Sequence, residues 1–592
     1  MNLRHETRIA ELRPVRAALG FPFLTALSML ACITSVSSSA ASEKRLSVEL
    51  IRSTTDQRDF EVGPTAIARD GSDIVVTFQA ALGSTYRLER KLSLTDSTWQ
   101  TISGVSDLTA DSNGPAQITD PGAVNLGKAF YRVTLPYQVN CNALCFIERY
   151  AADGTTPPSP TSGMRGLSSQ MQKVDVGFIV DTTGSMGGAI SNLKTTLSAT
   201  IIPALQARIP SLGIGVAGHD DFPYSTYGMA PDQAFYISAP PQGYVTTVTA
   251  QSQTAANALT THNGGDFPES QVPAMYKAIT GVAITWPGSS LPADSPPAGT
   301  FGAVRFRSDA FSIIINITDI GHHHGKRALD KTGTNYDGTF QNTYSFATFN
   351  VDHLVTAING IGAKFIGVGA DGGIRGLGAN DPYGYSAYIT DKTNSTVPSS
   401  AMPPAVGCAP GQCCTGVNGV GVAPDGPGGS CRLVLSANAN GTGVSTSVVN
   451  GVVAVLNTVQ FSVYVQAYND PAETTDVVGN FMLKVEPDPA GGTDPATGEV
   501  CVSFPASQLA DNFSGPQALV AGPDGVPDTI TQVNPGPLYC FKVTPKPNTV
   551  IPQTTTEQAF RAWLRVIAIK PNGTIVLGPD REVLFIVPPI GY

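Results

Sequence analysis

The sequence predicts a multidomain chain in which a central, doubly wound α/β domain is flanked by an N-terminal and a C-terminal β-sandwich. Three observations lead there. At 592 residues the chain is longer than one hydrophobic core sustains. Between 174 and 460, nearly continuous apolar runs alternate with stretches whose apolar residues recur at helical spacing, the pattern of a parallel sheet covered by helices. On either side the period drops to two, in short runs of β-branched and aromatic residues broken by turns.

Composition bounds the function. Apolar residues make up 42 % and charged residues 14 %, the latter against about 25 % in ordinary soluble domains. The 61 Gly and 45 Pro exceed the usual combined share of about 12 % and mark a loop-rich chain. A net charge of −10 with few basic clusters argues against a nucleic-acid partner.

Residues 1–40 read as a secretory signal: Arg4, Arg8, Arg13 and Arg16 precede an uncharged apolar run at 18–36, and Ser38-Ser39-Ala40 offers a cleavage site near Ala40 or Ala41. Retention as a membrane anchor and lipid attachment at Cys32 stay open as alternatives. No later segment holds 18 uninterrupted apolar residues, so no further transmembrane segment is expected, and the protein is expected to be secreted or at the cell surface. Runs at 73–78, 86–89 and 129–133 build the small sandwich of 41–135. Residues 136–173, with Cys141, Cys145 and a Pro/Ser/Gly stretch, read as a linker.

The α/β domain is predicted over 174–460. Its strands are expected at 174–180, 212–217, 311–317, 364–369 and 432–435. Its helices are expected at 190–207 (Ile190, Leu193, Leu197, Ile201 and Leu205 on one face), 270–280, 351–361 and 445–456. A Cys/Gly/Pro-rich insert occupies 396–431. Runs at 461–467, 562–568 and 582–587 then give the C-terminal sandwich of 461–592. Without Cys32, eight cysteines remain: Cys141, Cys145, Cys408, Cys413, Cys414, Cys431, Cys501 and Cys540. An even number in an exported chain predicts disulfides, and the spacing of the central four matches no common zinc pattern. Cys501 and Cys540 are placed to staple the last sandwich.

The chemistry gathers at strand ends. Asp181, Thr183 and Ser185 follow the run at 174–180, where α/β sheets bind ligands. A carboxylate and two hydroxyls are hard oxygen donors that suit Mg²⁺, Mn²⁺ or Ca²⁺. Asn263-Gly264-Gly265-Asp266-Phe267-Pro268-Glu269 precedes one predicted helix, and Thr318-Asp319 ends the run at 311–317. Three oxygen-rich loops at one sheet edge are what a metal site requires.

The Asp181-x-Thr183-x-Ser185 pattern resembles the metal-ion-dependent adhesion site of von Willebrand factor A domains, which are Rossmann-like. Residues 265–269, 317–319 and 433–438 resemble the integrin β-subunit version. The resemblance covers roughly 174–460. It implies an ion held by Asp181, Thr183, Ser185 and Glu269, with Asp319 acting through water and an open position for an acidic side chain of a protein partner. It also implies a second site from Asp221, Asp266, Glu269 and the Pro268 carbonyl, in which Gly264 stands where Asn is expected and Asn263 lies beside it. The third integrin site needs acidic residues where Gly187-Gly188 stand, so it is expected to be absent. The long downstream Cys-rich modules of integrins are also missing, which suggests a single-chain relative.

The function expected is divalent-cation-dependent adhesion or protein binding without turnover, with Mg²⁺, Mn²⁺ or Ca²⁺ as cofactor; the partner and the oligomeric state stay open. One alternative is a structural surface or matrix protein whose metal only holds the fold. Another is a serine hydrolase using Ser185, Asp319 and His322, although residues 183–187 lack the first Gly of G-x-S-x-G. His322-His323-His324 suggests zinc, but adjacent histidines rarely converge on one ion, so an exposed polar loop is expected there. Residues 524–528 read as a β-turn rather than a calcium loop, and the sequons at Asn316, Asn394, Asn440, Asn512 and Asn572 are assigned no modification. The helix at 445–456 runs into the C-terminal sandwich, so ligand binding is expected to shift it.

Overall fold

The run at 174–180 forms β1 (Lys173–Asp181), buried at every position after Lys173. The computed structural model describes residues 29–35, 46–52, 61–134 apart from 63, 81–84, 97 and 113, then 143–325, 343–344, 346 and 349–590 apart from 379. The chain separates into two compact units, one of residues 1–141 with 554–556 and 589–592, the other of 142–553 and 557–588.

In the larger unit β1 lies inside a six-stranded sheet with β2 (Ser211–His219), β3 (Tyr236–Ile237), β4 (Phe311–Thr318), β5 (Lys364–Gly369) and β6 (Val434–Ser436). The order is β3-β2-β1-β4-β5-β6, parallel throughout except for the β2–β3 pair. The winding reverses between β1 and β4, so the loops beyond their carboxyl ends lie at a topological switch point. The charge within the buried strand is answered locally, since Asp175 accepts hydrogen bonds from the backbone N–H and Nε of Arg307 at 2.7 and 2.8 Å.

Six helices cover the sheet: α1 (Gly187–Thr196), α2 (Thr249–Ala258), α3 (Gln271–Thr280), α4 (Val351–Gly360), α5 (Pro382–Lys392) and α6 (Val444–Thr458). α1 continues through a π-turn at Leu197–Ile201 into Ile202–Gln206. One core joins α1, α2 and α6 to the face of β1 that carries Val174, Val176, Phe178 and Val180. The other joins α3, α4 and α5 to Ile179, Ile314 and Phe365. Helices therefore lie on both faces, and every strand of the middle of the sheet is desolvated on two sides.

The same unit holds two further sheets. A six-stranded one runs in the order Leu144–Ile147, Gly573–Val587, Gln558–Lys570, Phe461–Asn469, Thr529–Val533, Leu509–Ala510, and a three-stranded one pairs Gly163–Ser168 with Leu538–Pro545 and that with Met482–Pro487. The stretch read as a linker thus supplies two strands: Leu144–Ile147 alternates buried and half-buried residues and runs parallel to 583–586. Disulfides join Cys408 to Cys414, Cys413 to Cys431 and Cys501 to Cys540. Cys145 is also disulfide-bonded, while Cys141 lies outside the described residues.

In the smaller unit, Pro64–Asp70, Asp73–Ala80 and Gly114–Asp120 form one sheet, and Phe130–Thr134 and Thr85–Lys91 lie in another. Ile74, Val76, Phe78 and Ile118 meet Tyr86, Leu88, Tyr131 and Val133 in one core. Met29–Ser35, inside the expected export signal, is a strand paired with Leu46–Arg52; the rest of that signal lies outside the described residues. Among the described residues no helix is long and apolar enough to cross a membrane.

Candidate metal centre

Asp181 is the last residue of β1 and is completely buried. Its Oδ1 accepts hydrogen bonds from the Thr183 N–H at 2.9 Å and the Thr183 hydroxyl at 2.8 Å, and its Oδ2 accepts from the Thr318 hydroxyl at 2.7 Å. One carboxylate thus ties the loop after β1 to the end of β4. Gly184–Met186 makes a single 3₁₀ turn before α1, which leaves Ser185 exposed. The Ser185 hydroxyl donates to Asp319 Oδ1 at 3.1 Å.

Glu269 enters from the loop before α3. That loop is zipped to the chain after β4: the Glu269 N–H donates to the Gly321 carbonyl at 3.2 Å, and the His323 N–H donates to the Glu269 carbonyl at 2.6 Å. The Glu269 residue is 3 % exposed, and its buried Oε2 has no hydrogen-bond partner. Gly264 sits at φ +72°, and a Cβ there would stand 2.7 Å from Glu269 Oε1 and 3.2 Å from Thr183 Cγ2. That close approach explains why glycine, not asparagine, occupies 264. Gly188, where an acidic residue would serve a third site, abuts the loop before α6: a Cβ on it would lie 2.3 Å from the Ala439 carbonyl oxygen.

Asp221 follows β2 and is completely buried. Its Oδ1 accepts from the Phe222 N–H and from the Tyr344 hydroxyl, and its Oδ2 lies 2.8 Å from His323 Nδ1. Asp266, with a side chain 33 % exposed, places Oδ2 3.5 Å from His323 Nε2; its Oδ1 is buried without a partner. Asn263 is exposed and uses its backbone N–H on Asp232, at 3.3 Å.

The electrostatics are unbalanced. Burial lifts the Asp181, Asp266 and Asp319 carboxyls to about 6 and pushes Asp221 well above the usual range. Glu269 is pushed up to about 12, first by burial and then by Asp181, Asp221, Asp266 and Asp220. Among the described residues no Lys or Arg forms an ion pair with any of these five. Carboxyls packed this way either stay protonated or share a cation. Asp181, Thr183, Ser185, Glu269 and Asp319 offer oxygen donors only, a set that fits a hard divalent ion.

Sequence reasoning missed several members. Asp220, completely buried, accepts from the Thr182 hydroxyl at 2.6 Å and contacts His262 Nδ1 at 2.8 Å. The histidine triplet corrects an expectation: His322, His323 and His324 are buried, at 0, 4 and 0 % exposure, because the chain after β4 folds under the Glu269 loop. The serine-hydrolase link is not made, since Ser185 donates to Asp319 while His322 stacks on Tyr385 with ring centroids 4.9 Å apart. Asp524 accepts from the Gly515 and Val526 N–H groups, each at 2.9 Å, as a turn residue does.

No family model matches the chain, and no curated protein sequence does either. Among solved structures the chain is similar to the pilus adhesin SpaC from Lactobacillus rhamnosus GG in its open conformation, at 12 % identity and a TM-score of 0.27. The match covers 88 % of this chain and 55 % of the adhesin, so the chain spans about half of that protein's length. A likeness at that score carries neither fold nor function across.

Proposed function

We propose that this is a surface or extracellular protein that binds a partner through a divalent cation on a von Willebrand factor A-type domain. Asp181, Thr183, Ser185 and Glu269 would hold the ion, with Asp319 behind it, and the bound ion supplies a concentrated positive charge for a carboxylate of the partner. One observation carries the reading. The donor set is closed on one side, where Asp181 is 0 % and Glu269 3 % exposed, and open on the other, where Ser185 reaches solvent. A metal serving only the fold has no need of an open side. The β3-β2-β1-β4-β5-β6 order supports the domain assignment, because it puts the Asp181 loop at the point where the winding reverses.

The test is a pair of measurements on Ser185→Ala. Binding of the protein to an immobilised acidic peptide surface in Mg²⁺ is expected to fall to the level seen in chelator, while the melting temperature stays nearly unchanged. Loss of stability together with binding would favour the structural reading instead. α6 is joined to Phe461–Asn469 by Val459 and Gln460 alone, which supports coupling of the site to the sheet that follows. Amide exchange in Val444–Thr458 that Mg²⁺ and the acidic surface leave unaltered would contradict that coupling.

A further inference from the structure

We infer a second cation site beside the first, in which His323 Nε2 and the Asp266 carboxylate are ligands and Asp221 orients the imidazole, and which prefers first-row transition ions such as Mn²⁺ or Zn²⁺ to Mg²⁺ or Ca²⁺. Ligand atoms of Asp221, Asp266 and His323 lie within 4.8 Å of one another. The expectation of an all-oxygen site with Asn263 gives way to one with a nitrogen donor, because Asn263 is exposed and His323 is buried beneath the loop.

The hydrogen bonds define the roles. Asp221 Oδ1 is saturated by the Phe222 N–H and the Tyr344 hydroxyl, and Oδ2 meets His323 Nδ1 at 2.8 Å. With Asp221 ionised its Oδ2 accepts, so Nδ1 carries the hydrogen and the Nε2 lone pair points away from Asp221. Nε2 then faces Asp266 Oδ2 at 3.5 Å, two acceptors that only a proton or a metal cation between them reconciles. Atoms 3.5 Å apart, each about 2.1 Å from one ion, subtend roughly 110° at it, a tetrahedral angle. Carboxylate–histidine–metal relays are built this way.

Two further features point to a ligand. Glu269, 3 % exposed, keeps Oε2 unpartnered, and Asp266 Oδ1 is also buried without a partner, so oxygen donors remain to complete the shell. The imidazole is met edge-on by Tyr227, centroids 5.3 Å apart, and by a tilted Tyr344 ring at 4.3 Å. A nitrogen donor favours Zn²⁺, and Mn²⁺ more weakly, over the alkaline-earth ions, whose ligands are oxygen. The site shares Glu269 with the one proposed above but does not require that one to be filled.

The test loads the chelator-treated full chain with Mn²⁺ and looks for ¹⁴N modulation by pulsed electron paramagnetic resonance. Nitrogen coupling is expected in the wild type and in Asp181→Ala, which removes only the all-oxygen site, and is expected to vanish in His323→Gln. Calorimetry should show Mn²⁺ affinity for this site falling at least tenfold in His323→Gln. The same fall is expected in Asp266→Asn, whose partly exposed position spares the fold. Zn²⁺ should displace the nitrogen-coupled Mn²⁺, and excess Mg²⁺ should not. Bound Mn²⁺ without nitrogen coupling, coupling that survives in His323→Gln, or displacement by Mg²⁺ would each overturn the inference. Loss of all Mn²⁺ binding in Asp181→Ala would do so too.

Discussion

Replacing Glu269 by Gln tests the electrostatics of the site with a defined sign. In chelator-treated protein the folded Glu269 keeps its proton up to about 12, whereas the unfolded group loses it near 4.5. Above 4.5 the unfolded chain therefore binds fewer protons than the folded one, and stability falls as pH rises. The slope is about 1.4 kcal/mol per pH unit for one group, so between pH 4.5 and 7 it removes about 3 kcal/mol. Gln mimics the protonated side chain and cannot titrate. The slopes that Asp181, Asp266 and Asp319 contribute are common to both proteins and cancel in the difference. In EDTA at pH 7 the variant should be more stable than the wild type by about 3 kcal/mol, and the two should converge at pH 4.5. Saturating Mg²⁺ should reverse the order at pH 7, since the wild type then pairs its carboxylate with the ion. Urea denaturation at several pH values, with and without Mg²⁺, reads all of this. Parallel stability profiles for the two proteins in EDTA would show that the folded Glu269 does not hold its proton.

Three other outcomes follow from the geometry. Gly264→Ala brings a Cβ to 2.7 Å from Glu269 Oε1 at φ +72°; it should cost about 1 kcal/mol or more and weaken Mg²⁺ binding by calorimetry. Arg307→Ala leaves Asp175 buried without its ion pair and should destabilise by about 3–5 kcal/mol in urea, with a loss below 1 kcal/mol speaking against the pairing. Replacing Cys413 and Cys431 together by Ser opens a link of sequence separation 18 and should cost about 3 kcal/mol, read by denaturation under non-reducing conditions.

What was legible in the sequence depended on how each element is buried. β1, β2, β4 and β5 are desolvated on both faces, so their apolar runs are continuous and their bounds fell within a residue or two. α1, α3, α4 and α6 showed their buried stripes at helical spacing. α2 did not, because its buried residues are only Ser252, Ala255 and Ala256. α5 begins with Pro382 and is buried along nearly its whole length, so it carries no stripe. The strand at Leu144–Ile147 is four residues long and finds its partner more than four hundred residues later, a pairing that local pattern cannot reveal.

The candidate site divides in the same way. Asp181, Thr183, Ser185, Glu269 and Asp319 sit at fixed offsets from buried strands and one helix start, and the structure hydrogen-bonds Thr183 to Asp181 and Ser185 to Asp319. Tyr344 meets Asp221 across 123 positions of sequence, and nothing local marks either as the other's partner. The histidines did carry a signal that was misread. They begin three residues after Asp319, just past the end of a fully buried strand, where the chain turns back beneath the Glu269 loop. Polar side chains there are buried rather than in bulk water.

The oxygen cluster at Asp181 is proposed to bind a divalent cation. Calorimetric titration of Mg²⁺ into the chelator-treated full chain, beside Asp181→Ala, tests it most directly. A saturable heat is expected in the wild type and absent from the variant, with both proteins equally folded by circular dichroism. Equal binding in the two, or no binding in the wild type, would contradict it.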